Sequence, residues 1–123
     1  MNFEQLNAYL LSKNGAAFDY PFDETTRVYR VHNKIFALFD DSKTQLSINL
    51  KCDPLYALEL RSIYPYIKPG YHMNKKHWNT FEITNDSDDK LLKELIDHSY
   101  NLVFLSLSKK DQNEITIKAK NVT

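Results

Sequence analysis

Three runs rich in β-branched and aromatic side chains follow one another at residues 27–32, 34–39 and 44–51, separated only by short polar turns. Such close succession leaves no room for the crossover that parallel strands require, so an antiparallel meander is predicted. His32-Asn33 supplies a tight connection and residues 40–43 a longer one. In the third run Leu46, Ile48 and Leu50 alternate with Ser47, Asn49 and Lys51, which gives the sheet one dry face and one wet face.

Helical periodicity brackets the meander. Phe3, Leu6, Leu10 and Leu11 recur at helical spacing before Asn14-Gly15, predicting a helix over residues 2–13. Tyr20-Pro21-Phe22 reads as a loop whose Tyr20 and Phe22 pack against the sheet. Asp53-Pro54 is a helix start, because aspartate caps free backbone donors and proline lacks the donor that the first turn leaves unbonded. That helix is expected to run to about residue 62, followed by strands over 64–68 and 77–83. Ser87-Asp88-Asp89 opens a long helix with an apolar stripe of Leu91, Leu92, Leu95, Ile96, Ser99, Leu102 and Val103, ending near residue 109. Ser99 on that stripe reads as a small residue allowing close helix-to-sheet approach, with its hydroxyl bonded to a backbone carbonyl. Ile115 and Ile117 alternate in the tail, which is expected to be an edge strand or a flexible segment.

A chain of 123 residues fits one domain, with residues 1–110 as its body and 111–123 as a C-terminal extension. Sixteen basic and sixteen acidic side chains cancel, which excludes a global positive field and leaves any anion binding to a local patch. One cysteine, no signal-peptide pattern and no membrane-length apolar run predict a cytoplasmic protein. The patch is Lys68 to Thr80, reading KPGYHMNKKHWNT, inside a stretch with no acid between Glu59 and Glu82. Cations neutralise phosphates, while rings and amides meet unstacked bases. Lys68, Tyr71, His72, Asn74, Lys75, Lys76, His77 and Asn79 are therefore the candidate nucleic-acid contacts, with Lys34 and Lys51 as outliers at strand ends. Those two lysines serve equally well to protect sheet edges. Pro69-Gly70 is expected to form a turn with glycine at positive φ, and Trp78, opening a strand, to fill the core.

Catalytic and metal chemistry find little support. His72 and His77 have no companion cysteine or carboxylate, so no metal is expected. Cys52 precedes a helix start, but no histidine is near it in sequence, and a lone cysteine reads as a small buried hydrophobe. No cofactor and no enzyme activity are expected.

The chain resembles the MmcQ/YjbR-like family of small bacterial proteins. The resemblance spans about residues 6–110 and rests on Tyr20-Pro21-Phe22, Val31, Lys34-Ile35-Phe36-Ala37, Leu50-Lys51-Cys52-Asp53-Pro54, the long Pro69-to-Thr80 string and Ser99-Tyr100. It implies an α+β fold like that of secretion chaperones, in the order α-β(3)-α-β(2)-α, with an antiparallel sheet covered by helices. It also implies a binding function, since such proteins are described as predicted DNA-binding proteins. The expected partner is DNA, held mainly through phosphates. The alternative is a protein-binding adaptor or chaperone-like module presenting Tyr29, Phe36 or Tyr66 as an exposed apolar patch.

Overall fold

The computed structural model describes residues 1–70 and 73–121. Helix α1 (Phe3–Leu11) starts at a reciprocal capping box, in which the Gln5 N–H donates to Asn2 Oδ1 at 2.8 Å and the Asn2 N–H to Gln5 Oε1 at 3.0 Å. Leu6 and Leu10 are its buried face. Gly15 then takes φ 76°, in the left-handed region that a side chain rarely adopts, and turns the chain into β1 (Ala16–Asp19). This strand is absent from the sequence expectation because Ala-Ala-Phe-Asp carries no β-branched residue. It forms by pairing with β2 (Thr26–Val31), from Ala16 opposite Val31 to Asp19 opposite Val28.

The remaining strands are β3 (Lys34–Asp40), β4 (Ser47–Lys51), β5 (Ile67–Pro69) and β6 (Trp78–Glu82). All neighbours run antiparallel in the order β1-β2-β3-β4-β6-β5. The fold is a single α+β domain with the expected meander at its centre. Strand β5 begins later than predicted because Tyr64 is still the C-cap of α2 (Pro54–Ile63), its N–H donating to the Leu60 carbonyl at 2.9 Å.

Helices α1, α2 and α3 (Asp89–Leu105) bury one face of the sheet, so that Tyr29, Phe36, Phe39, Ile48, Leu50 and Phe81 share a core with Leu6, Leu60, Leu92 and Ile96. Helices cover one face of the sheet, as expected. Between Tyr29 and Arg30 the register slips, leaving Phe36 without an opposite residue on β2, and both Phe36 and Ala37 enter the core. Ser99 sits against that irregularity, wholly buried. Its hydroxyl donates to the Phe36 carbonyl at 2.5 Å and accepts from the Lys51 N–H at 2.9 Å, as its place on the apolar stripe of α3 leads one to expect.

The tail corrects the prediction. Residues Lys109–Asn121 form a helix, α4, rather than an edge strand or a flexible segment. Serines cause the break after α3, since Ser106 Oγ donates back to the Val103 carbonyl at 2.6 Å and Ser108 Oγ accepts the Asp111 N–H at 3.1 Å. Ile115 is buried and reaches the core, and Gln112 is buried with its amide donating to the Leu107 carbonyl at 2.9 Å, whereas Ile117 is 56% exposed. The apparent alternation of the two isoleucines is the one-sided burial of a helix.

Candidate nucleic-acid interface

The segment joining β5 to β6 is held from both sides. The Gly70 N–H donates to the Trp78 carbonyl at 2.8 Å, and a Cβ on Gly70 would lie 2.7 Å from Trp78 Cβ and 2.9 Å from the Trp78 carbonyl oxygen. Glycine is therefore required by close approach. The expected positive φ is not found there, Gly15 being the glycine that has one. Asn74 organises the tip, its Oδ1 accepting the Lys76 N–H at 3.0 Å and its carbonyl the His77 N–H at 3.1 Å. The His77 carbonyl in turn accepts the Cys52 N–H at 2.8 Å and ties the loop to the end of β4.

Arg61 on α2 is the clamp. Its Nε donates to Asn79 Oδ1 at 2.6 Å, and one guanidinium nitrogen reaches the carbonyls of Lys75 and of Trp78, the latter at 3.3 Å. Asn79 completes the brace through its Nδ2, which donates to the Ala57 carbonyl at 3.3 Å. Asn79 is thus buried under α2 and cannot meet a ligand, contrary to its prediction as a contact. Sequence reasoning missed the role of Arg61 because residue 61 lies in a helix that the fold brings under the loop.

The other candidates divide. Lys75 and Lys76 are exposed, and with Lys51 they make no ion pair or side-chain hydrogen bond among the described residues. Lys51 stands opposite Trp78 in the register, which brings it to the root of the loop. Asn74 and His77 are turn-builders. Lys34 is at the same end of the sheet, but its ammonium turns to the helical side and donates to Ser106 Oγ at 3.1 Å. Lys68 is ion-paired with Glu82 at 3.2 Å. Tyr71 and His72 lie outside the described residues. Trp78 is half-buried and stands apart from the core cluster, alternating with the buried Asn79 and so sharing the face of Thr80 and Glu82.

Strand direction explains a larger feature. The end of β2, the start of β3, the end of β4 and the start of β6 lie at one end of the sheet, which collects Arg30, Lys34, Lys51, Lys75 and Lys76. The first turn of α4 comes to the same end, since Asp111 meets His32 at 3.5 Å, and it adds Lys109 and Lys110. The opposite end carries Asp23, Glu24, Asp40, Asp41, Glu82 and Asp86. A chain with no net charge is therefore electrically polarised.

On the uncovered face a row runs from Val28 through Leu38, Asn49 and Thr80 to Lys68, each opposite the next. Leu38, Asn49, Thr80 and Lys68 of this row line an open groove of about 830 Å³ that extends diagonally from Pro69 and Met73 to Phe22. The covered face holds the remaining reactive side chains. Burial, assisted by the nearby Asp53 charge, pushes the Cys52 thiol up to about 11, so the thiolate is disfavoured. His98 accepts the Asp53 N–H at 3.2 Å, and burial lowers its pKa. Among the described residues no helix is long and apolar enough to cross a membrane.

The sequence pattern of the YjbR family matches residues 11–102. This chain belongs to the YjbR family. It is 43% identical over 96 residues to the Escherichia coli protein YbdF, covering 78% of this chain and 79% of that one. To Escherichia coli YjbR it is 28% identical over 100 residues, with 81% and 85% covered. The crystal structure of Deinococcus radiodurans protein DR2400, described as a DUF419 domain, superposes with a TM-score of 0.87 at 34% identity, covering 92% of this chain and 86% of that one. A Pseudomonas syringae protein superposes at 0.72 and 30% identity, with 84% and 99% covered. The YjbR match contains the β5–β6 loop and its Arg61 clamp, while Lys109 and Lys110 lie beyond it.

Proposed function

We propose that this YjbR-family protein is a cytoplasmic, non-catalytic DNA-binding module that uses the basic end of its sheet. The observation that carries the reading is the convergence of Lys51, Lys75 and Lys76, all without ionic partners among the described residues, on a loop anchored by Arg61. Such cations release condensed counterions from phosphates on binding, a sequence-independent source of affinity. Lys34 and Lys68 flank the patch and contribute less, because each already has a partner. Arg30, paired with Asp19 at 3.3 Å, lies near Lys34 at the same end of the sheet.

The adaptor alternative is weakened in the form expected from sequence. Tyr29 and Phe36 are fully buried, and Tyr66 packs on Phe81 at 5.1 Å between ring centres, so these rings make no exposed patch. Replacing Lys75→Glu together with Lys76→Glu tests the DNA reading. The variant is expected to keep its thermal unfolding profile and to lose duplex affinity at low salt, measured by fluorescence anisotropy. Equal affinity of variant and parent would remove the loop from the interface.

A further inference from the structure

The groove on the uncovered face begins where the basic loop ends. Met73, at one end of its lining, immediately precedes Asn74, Lys75 and Lys76, so a phosphate chain lying on those lysines runs past the groove mouth. Inside, Leu38 and Asn49 form the floor and Phe22, 66% exposed, stands at the far end with its ring available for stacking. Asn49 Oδ1 accepts from Thr80 Oγ1 at 2.6 Å, which leaves the Asn49 Nδ2 donors for a ligand. Asp40 and Glu82 line the end away from the basic loop, one strand step or more beyond the Asn49–Thr80 row.

The order of chemistry along this path is positive charge, amide donor, apolar surface, then the carboxylates of Asp40 and Glu82, the latter paired with Lys68 and both sharing the lining with Lys43. The part of that order nearest the basic loop is complementary to a nucleotide: phosphate to the cations, ring acceptors to the amide and the base face to an aromatic ring. An extended peptide fits it less well. Strand addition requires a free sheet edge, and this groove lies across the middle of the sheet, where neighbouring strands already satisfy one another's backbone. A base inside an intact duplex fits no better, because it is stacked and paired between the strands.

We propose that the groove seats an unpaired nucleotide of a single DNA strand whose phosphates lie on Lys51, Lys75 and Lys76. The proposal rests on the DNA-binding reading and adds single-stranded DNA as the preferred form. It predicts that a labelled mixed-sequence single strand binds more tightly than its duplex. Phe22→Ala, at an exposed position, is expected to weaken the single strand about fivefold or more, the lower range for loss of one base–aromatic stack, and to leave duplex affinity and thermal stability unchanged. An abasic single strand is expected to lose the sensitivity to Phe22→Ala. Lys75→Glu with Lys76→Glu is expected to weaken both forms of DNA.

The two readings fail separately. If the parent binds single strand and duplex equally and a folded Phe22→Ala variant binds both as the parent does, the groove is not a nucleotide site while the phosphate interface stands. If neither DNA form binds the parent, both readings are overturned.

Discussion

The two ends of the sheet carry opposite charge and use it differently. At the acidic end Asp23, Asp40 and Asp41 are engaged in building the fold. Asp23 accepts the backbone N–H groups of Thr25 and Thr26 at 2.9 and 2.6 Å, Asp40 accepts that of Ser42 at 2.9 Å, and Asp41 accepts the Tyr20 hydroxyl. In the neighbouring approach to α3, Asp88 caps the helix through the Lys90 N–H at 2.9 Å and Asp89 holds the Met1 ammonium at 3.1 Å. At the basic end Lys51, Lys75 and Lys76 have no such work among the described residues, and the loop that carries two of them is held by backbone bonds and Arg61 instead. Net charge hides this asymmetry. Zero overall conceals one end where Asp23, Asp40 and Asp41 are bonded within the fold and another where Lys51, Lys75 and Lys76 have no ion pair among the described residues.

The sharpest challenge to that contrast is Arg61, a cation beside the basic loop whose hydrogen bonds are structural. Arg61→Ala leaves the buried Asn79 Oδ1 without its donor and is expected to cost about 1–3 kcal/mol in denaturant unfolding. Duplex affinity is expected to fall as well, since the loop loses its anchor. Arg61→Lys is not expected to restore the parent, because a single ammonium cannot span Asn79, Lys75 and Trp78 together. If Arg61→Ala proves neutral in stability, the loop is held by something else.

Next in size is the acidic pole. Asp88→Ala removes the cap of α3 and is expected to cost about 1 kcal/mol without changing DNA affinity. Acid titration sharpens the same point. The Thr26 N–H holds the Asp23 carboxyl below its usual range, and the Ser42 hydroxyl does the same for Asp40. Each group favours the folded state above its ordinary pKa of about 3.9, and that contribution disappears as pH falls through the lowered value. Amide resonances of residues 23–26 and 40–42 are expected to move with midpoints below about pH 3.9. Midpoints at or above that value would show that these carboxylates are not engaged as described. The smallest effect belongs to the basic pole, where Lys75→Ala with Lys76→Ala is expected to shift stability by less than about 0.5 kcal/mol. A larger loss would make those lysines structural and erase the contrast.

Much of this was legible in the chain. The meander followed from alternation and turn residues, α2 from Asp53-Pro54, and the place of Ser99 from its position on an apolar stripe. What escaped was set by tertiary contact. Strand β1 exists because β2 offers it an edge, and α4 because Ile115 finds the core and Gln112 bonds the Leu107 carbonyl. Lys75 and Lys76 were readable from local composition, yet Asn79 in the same string is buried, since strand alternation at β6 turns it toward α2. Lys51 joins the loop only through the β4–β6 pairing, and the polarisation depends on which loops share an end of the sheet, information held in topology.

Duplex DNA binding over a salt series tests the central claim most directly. Three phosphate contacts, from Lys51, Lys75 and Lys76, give a log-log slope of about −2.7, so that raising salt from about 50 to about 200 mM weakens binding roughly 40-fold. Lys75→Glu with Lys76→Glu is expected to flatten that slope toward about −0.9. A parent slope near zero, or a slope that the double substitution leaves unchanged, would contradict a phosphate interface at the basic end of the sheet.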